Sequence, residues 1–175
     1  MGYAGGDAPN PTYHDLGGHT ESLRVTYDPQ EIAYGALLEC FGEAHDMTAP
    51  PWSQQYASLI FVSSESQRQE AEAFLRKVAE ERGKKVRTKL RDDAPFYPAE
   101  GYHQKYYLRQ TRSLGDPLRS LFPREEDFWR SAAVMRANAY LAGHGSPETF
   151  ERELPKLGLT PAHQNLLRRF FENAR

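Results

Sequence analysis

The pattern of apolar and polar side chains predicts strands in three stretches of the first hundred residues, two of them alternating and one apolar throughout. Residues 21–27 alternate and precede Asp28-Pro29, so they predict a half-buried strand. Residues 58–62 are apolar on both parities, which is typical of a strand covered on both faces. Residues 85–91 alternate between basic and apolar side chains, which predicts a strand with one solvated face.

Helical spacing of apolar residues links these strands and dominates the last third of the chain. Residues 32–44 carry one apolar stripe, and Ser64 is placed to cap a second helix that stops at Gly83. After residue 110 we expect a series of helices, with capping hydroxyls before proline at Ser146-Pro147 and Thr160-Pro161. These predicted helices cover residues 125–141, 147–157 and 161–173. Their apolar stripe, which includes Phe128 and Tyr140, is expected to pack against the body of the domain.

The pattern as a whole predicts an α+β fold, a mixed β-sheet with packed helices over residues 1–110, followed by a helical C-terminal extension over residues 111–175. Hydrophobic residues make up 39% and charged residues 26%, and the net charge is −2. These values argue against a disordered chain, a membrane span and a nucleic-acid-binding tail. The single cysteine excludes an internal disulfide and a multi-thiolate metal site, so we expect a reducing, cytoplasmic setting.

A few side chains could carry chemistry. Glu21 has the parity of the apolar side of its strand, where a carboxyl group resists ionising and, when protonated, can act as a general acid. The alternative is a solvated Glu21 at the mouth of the strand. Tyr3, Tyr13 and Tyr56 lie beside glycine or proline or at the start of a strand, where their hydroxyls could be directed into a pocket or could simply pack. Cys40 lies among apolar helix residues, which does not favour a reactive thiol.

Short motifs follow one another in a fixed order over residues 2–108. They are Gly2-Tyr3-Ala4-Gly5-Gly6, Pro9-Asn10-Pro11-Thr12-Tyr13, Gly18-His19-Thr20-Glu21, Tyr27-Asp28-Pro29, His45-Asp46, Gln55-Tyr56-Ala57-Ser58, Phe96-Tyr97-Pro98-Ala99-Glu100 and Tyr102-His103-Gln104. In order and spacing they resemble the A-type peptide methionine sulfoxide reductases. That resemblance implies a two-layer α+β sandwich whose first strand and helix, with a Gly-Cys-Phe-Trp motif, are missing from this sequence.

The resemblance also implies roles for individual residues. Glu21 would be the acid that protonates the sulfoxide oxygen, and Tyr13 and Tyr56 would donate hydroxyl hydrogen bonds to the same oxygen. Two further candidates for substrate contact do not come from the resemblance. They are Tyr3, whose hydroxyl could be directed by the rigid backbone around it, and Trp52, which could form a pocket wall in a loop that departs from the family pattern. The family binds no cofactor or metal. It acts on oxidised methionine in proteins or as the free amino acid, with thioredoxin or another thiol as external reductant.

Three hypotheses about function follow. The first is a peptide-methionine (S)-S-oxide reductase, active in protein repair under oxidative stress, whose gene model starts too late to include the nucleophilic cysteine. The second is a non-catalytic protein that binds methionine sulfoxide or an interaction partner on the same scaffold. The third, in which Cys40 substitutes as nucleophile, has the least support from the sequence.

Overall fold

The chain divides into two units, Met1–Ala99 and Glu100–Arg175, in a computed structural model that describes residues 1–174. The first unit contains the described strands, which form two sheets, and the second contains only helices among its described residues. This arrangement confirms the α+β class predicted from the sequence. The predicted boundary near residue 110 falls inside the second unit.

The first unit has two small sheets. In the first sheet β1 (Gly2–Ala4) lies between β2 (Thr20–Ser22) and β5 (Phe96–Pro98), and both pairings are antiparallel. In the second sheet β3 (Leu59–Val62) pairs in parallel with β4 (Lys89–Asp92). Parallel strands need a crossover connection, and helix α2 (Glu65–Arg82) provides it.

Two helices cover the second sheet. Helix α1 (Tyr34–Glu43) packs against α2, and Leu38, Ile60, Val62 and Ala71 form the buried cluster between helices and strands. Ser64 caps α2 by accepting a hydrogen bond from the Gln67 amide, and Gly83 ends the helix with φ at 60°. Both ends of this helix confirm the sequence prediction, because a hydroxyl cap and a left-handed glycine are local signals.

The predicted strand over residues 21–27 is too long. Gly2 pairs with Ser22 in the antiparallel register, so residues beyond Leu23 run past the β1 strand and have no partner on it. Leu23 is 74% exposed and Val25 51% exposed, so neither is half-buried as alternation predicted. The predicted strand over residues 85–91 also begins too early, because pairing with β3 starts only at Lys89.

The second unit is a set of short helices. They are α3 (Tyr106–Gln110), α4 (Arg112–Arg119), α5 (Glu125–Arg130), α6 (Ala132–Leu141), α7 (Pro147–Glu153) and α8 (Pro161–Asn173), with 3₁₀ turns at Gly101–His103 and Leu154–Lys156. The single helix predicted over residues 125–141 is wrong, because Ser131 adopts an extended conformation and caps α6 instead. Ser146 and Thr160 cap α7 and α8 as predicted.

The apolar stripe of the C-terminal region packs within its own unit. Phe128 and Tyr140 belong to a buried core whose described members all lie between residues 108 and 171. Packing of this stripe against the body of the domain stays a prediction. Phe150 is at its centre, stacked on Phe171 with ring centroids 4.4 Å apart. None of the described helices is both long and apolar enough to span a bilayer.

Candidate functional site

Glu21 lies in the middle of β2, directly opposite Tyr3 of β1. Its side chain is half-buried, and its Oε1 accepts a hydrogen bond from Gln55 Nε2 at 2.6 Å. Gln55 lies in the 3₁₀ turn Gln54–Tyr56, which stands between α1 and β3 in the sequence. A carboxyl group held on one oxygen by an amide keeps its other oxygen available for a ligand.

The turn that carries Gln55 is fixed to β2 by the residue before Glu21. Thr20 Oγ1 donates to the Gln54 carbonyl at 2.8 Å and accepts from Gln54 Nε2 at 3.0 Å. The Thr20 side chain is buried, so these two bonds are not exchanged with water. Two consecutive strand residues therefore hold the turn, one through Gln54 and the other through Gln55.

Tyr56 and Tyr13 meet beside Glu21. The hydrogen bond with Tyr13 is the largest cause that raises the pKa of Tyr56 above its ordinary value, and the nearby Glu21 charge acts in the same direction. The phenol of Tyr56 is therefore held in its protonated, donor form. Its side chain is 53% exposed, so it can reach a ligand in solution. The structure brings together the three residues for which the sequence predicts donor roles.

Glu21 and Tyr56 both line a wide groove in the first unit, with a volume of about 1280 Å³. One wall consists of residues 20–27 and another of residues 55–61, and α1 contributes Leu37, Leu38 and Phe41. Its lining is more apolar than polar, and Glu21, Gln55 and Tyr56 are among its polar side chains. An apolar groove with a small group of polar side chains is the usual form of a ligand site.

The two predicted substrate contacts have very different surroundings. Tyr3 is fully buried at the centre of its sheet, in register with Glu21 on one side and Tyr97 on the other. Trp52 is 96% exposed and is not among the residues that line the groove. Tyr3 therefore supports Glu21 from the neighbouring strand, and Trp52 would have to contact a bound molecule from the surface.

Cys40 lies on α1 with an exposed thiol. The same helix turns Leu37, Leu38 and Phe41 toward the groove, whereas Cys40 is absent from the groove lining. The thiol therefore does not share a cavity wall with Glu21. Among residues 1–174, no group of three or more histidine, cysteine or acidic side chains is arranged to hold a metal ion.

Sequence reasoning did not single out the residues that hold the donors in place. Thr20, Gln54 and Gln55 each adjoin a predicted site residue, and their hydrogen bonds join segments that lie 34 positions apart. Thr20 and Gln55 lie within the Gly-His-Thr-Glu and Gln-Tyr motifs, which is the signal that could have found them, whereas Gln54 lies just outside the second motif. The pairing itself is visible only in three dimensions.

The fold and the site define an α+β protein with a half-buried carboxyl group beside two hydrogen-bonded tyrosines. A family model described as "Peptide methionine sulfoxide reductase" matches residues 1–130. The chain belongs to this family, and its curated relatives place it in the A type.

Three relatives show how far the similarity extends. A "Peptide methionine sulfoxide reductase" of Drosophila melanogaster is 39% identical over 166 residues, which is 94% of this chain and 66% of the relative. The "Peptide methionine sulfoxide reductase MsrA" of Thermus thermophilus is 41% identical over 117 residues, 62% of this chain and 66% of the relative. That of Sulfolobus acidocaldarius is 42% identical over 115 residues, 61% and 65% of the two chains. The chain thus spans about two thirds of the length of these relatives.

Proposed function

We propose that this chain carries the acid and hydroxyl donors of a peptide-methionine (S)-S-oxide reductase, which reduces methionine S-sulfoxide in proteins or as the free amino acid. The observation that carries the proposal is the convergence of Glu21, Tyr56 and Tyr13 in a chain of this family. A sulfoxide oxygen is a good hydrogen-bond acceptor and a poor leaving group until it is protonated. The three side chains are the donors that such an oxygen needs.

The reaction follows from these donors. Tyr56 and Tyr13 bind the sulfoxide oxygen, and Glu21 transfers a proton to it while a thiolate attacks the sulfur. The protonated oxygen then passes as a hydroxyl group to the attacking sulfur, and the original S–O bond and the new S–S bond break. Methionine leaves with the electron pair of the S–S bond, and the attacking thiol, oxidised by two electrons, is now a sulfenic acid. A second thiol then displaces water from the sulfenic acid to form a disulfide, so two thiols are oxidised for each sulfoxide reduced.

The attacking thiol is proposed to come from outside these 175 residues. Their single cysteine, Cys40, is exposed on α1 and does not line the groove that contains Glu21. We propose thioredoxin or another external thiol as the final reductant and the cytoplasm as the setting, since both suit a cycle that ends in a reducible disulfide.

Ligand binding by this chain tests the proposal directly. We expect a peptide with methionine S-sulfoxide to bind saturably, and the R epimer and unoxidised methionine to bind at least about tenfold more weakly, because each lost donor contact costs roughly one ordinary hydrogen bond. Tyr56→Phe and Glu21→Gln should weaken binding, whereas the matched controls Tyr107→Phe and Glu31→Gln at exposed positions should not. Equal affinity for sulfoxide and methionine would refute the proposal.

Activity is tested on the protein isolated from its source, with thioredoxin and its reductase as the electron supply. We expect turnover of the S epimer alone, lost with Glu21→Gln and kept with Cys40→Ser. Loss of turnover in Cys40→Ser would assign the nucleophile to Cys40 instead. The intact mass of that protein, compared with 20.0 kDa for this chain, shows whether further residues supply a thiol.

A further inference from the structure

The loop between β1 and β2, residues 5–18, carries Tyr13 but has little packing of its own. None of these residues is fully buried. Tyr13 lies at the tip of a tight turn closed by Thr12 and Asp15, whose backbone amides and carbonyls bond reciprocally at 2.9 and 3.1 Å. That turn fixes the local shape of the tip. It does not fix where the tip lies relative to Tyr56.

His19 closes this loop at its base. The imidazole is 1% exposed; its Nδ1 accepts from the Gly6 amide at 3.2 Å and its Nε2 donates to the Ala8 carbonyl at 2.9 Å. The His19 amide also donates to the Leu16 carbonyl at 2.9 Å. Residues from both arms of the loop are thus bonded to one residue of the chain.

The two hydrogen bonds define the state of the ring. A nitrogen that accepts from an amide N–H must keep its lone pair, so Nδ1 carries no proton and Nε2 carries one. The imidazole is therefore neutral and in the Nε2–H form. Its ring also contacts Tyr97 of β5 edge to face, with centroids 5.3 Å apart, which fixes the ring plane.

Close backbone contacts show that the arms meet tightly around His19. A Cβ atom at Gly6 would lie 2.3 Å from the His19 backbone nitrogen and 2.6 Å from the Gly18 carbonyl carbon. A Cβ atom at Gly17 would lie 2.0 Å from the Ala8 Cβ. Both glycines are needed because any larger residue would separate the arms. The two arms of the loop are therefore tightly packed and hydrogen-bonded around His19, and this contact is the joint at the base of the loop.

We propose that His19 is a positioning residue that sets Tyr13 against Tyr56. Three consecutive residues at the start of β2 then assemble the site: His19, just before the strand, holds the Tyr13 loop, Thr20 holds Gln54, and Glu21 bonds Gln55. The role of this arrangement in catalysis rests on the proposed function. The contacts that His19 makes at the base of the loop do not depend on it.

The experiment compares three variants in the 175-residue chain. His19→Leu removes both ring hydrogen bonds, His19→Asn can keep an acceptor for the Gly6 amide, and His19→Gln can keep a donor for the Ala8 carbonyl. Val78→Ala on α2 is the matched control, because it removes buried methyl groups in the same unit away from the site. Readouts are the nitrogen shifts of His19, hydrogen exchange of the Gly6 amide, the hydrogen bond between Tyr13 and Tyr56, and affinity for the S-sulfoxide peptide.

We expect His19 in the Nε2–H form. His19→Leu should lose the Tyr13–Tyr56 contact and weaken sulfoxide binding about tenfold, the factor that corresponds to one hydrogen bond. Asn and Gln should recover part of both effects, and Val78→Ala should change neither. If His19→Leu leaves the Tyr13–Tyr56 hydrogen bond and the Gly6 exchange as they are in Val78→Ala, the inference is wrong. If the unsubstituted chain binds no sulfoxide but the Tyr13–Tyr56 hydrogen bond depends on His19, the positioning role of His19 is supported and the proposed function fails.

Discussion

The two units bury their apolar side chains to different extents. The second unit has a buried core of thirteen described residues that runs through its helices, with Phe150, Leu154 and Leu167 each at 1% exposure or less. The helix-and-strand cluster of the first unit has four buried members, and beside it lies the open groove of about 1280 Å³. The unit that carries the candidate site is thus the less completely filled one.

The second unit, with its filled core, is built for stability, whereas the first unit, with its open groove, carries the candidate site. A closed core gains free energy from burial but offers no surface for a ligand. In an open groove, apolar side chains stay in contact with water and gain no free energy from burial. Exposed apolar surface of this kind marks a place where another molecule or segment binds. The exposed Leu23 and Val25 lie in the groove wall that also contains Glu21.

The largest effect is expected in the core of the second unit. Phe150→Ala should lower its free energy of unfolding by about 3–5 kcal/mol, because it deletes a buried ring that contacts Tyr140 and Phe171. Amide exchange of α7 and α8 measures the loss. Phe150→Leu, which keeps most of the volume, should cost less than half as much; equal costs would show that this core is loosely packed.

The next effect in size is a pH dependence of the free energy of unfolding, which Tyr140 contributes to the second unit. Burial first, and then the hydrogen bond to Glu153, raise the pKa of Tyr140 to about 12. The folded chain thus holds the phenolic proton more tightly than the unfolded chain. This contribution is complete below pH 10 and is lost as the pH rises toward 12, with a size on the order of 2–3 kcal/mol.

Denaturant unfolding at pH 8 and pH 11 checks this expectation, with Tyr140→Phe as reference. The variant cannot ionise at this position, so the difference in stability between the two proteins should shrink by the higher pH. An unchanged difference would mean that Tyr140 does not titrate within the folded unit.

In the first unit a smaller effect should come from a polar contact at the site. Thr20→Val keeps the shape but leaves the Gln54 carbonyl and amide without their buried partner, which should cost about 1–3 kcal/mol. Thr20→Ser retains the hydroxyl and should cost clearly less. If the two variants unfold alike, the methyl group of Thr20 matters and its hydrogen bonds do not.

The smallest effect is expected in the groove wall. Leu23→Ser and Val25→Ser should change stability by less than about 0.5 kcal/mol, because both side chains are already exposed. Val62→Ser, at a buried position of β3, is the contrasting control and should be strongly destabilising. A large loss in Leu23→Ser would show that the groove is covered in solution, and would remove the contrast between the units.

The sequence by itself determined the features that depend on neighbouring residues. Caps at Ser64, Ser146 and Thr160 are local hydrogen bonds, so they were predictable from residues three positions apart. The order of the motifs was sufficient to indicate the family, and with it Glu21, Tyr13 and Tyr56. Alternation over residues 21–27 indicated an extended conformation but could not show where its pairing ends.

Tertiary structure decided everything that depends on partners far along the chain. The length of β2 follows from its register with β1. The joint at His19 and the bonds from Thr20 and Glu21 to Gln54 and Gln55 link segments 11 to 34 residues apart. Such contacts depend on the path of the whole backbone, because a hydrogen bond fixes distance and direction and a sequence pattern fixes only which face a side chain occupies.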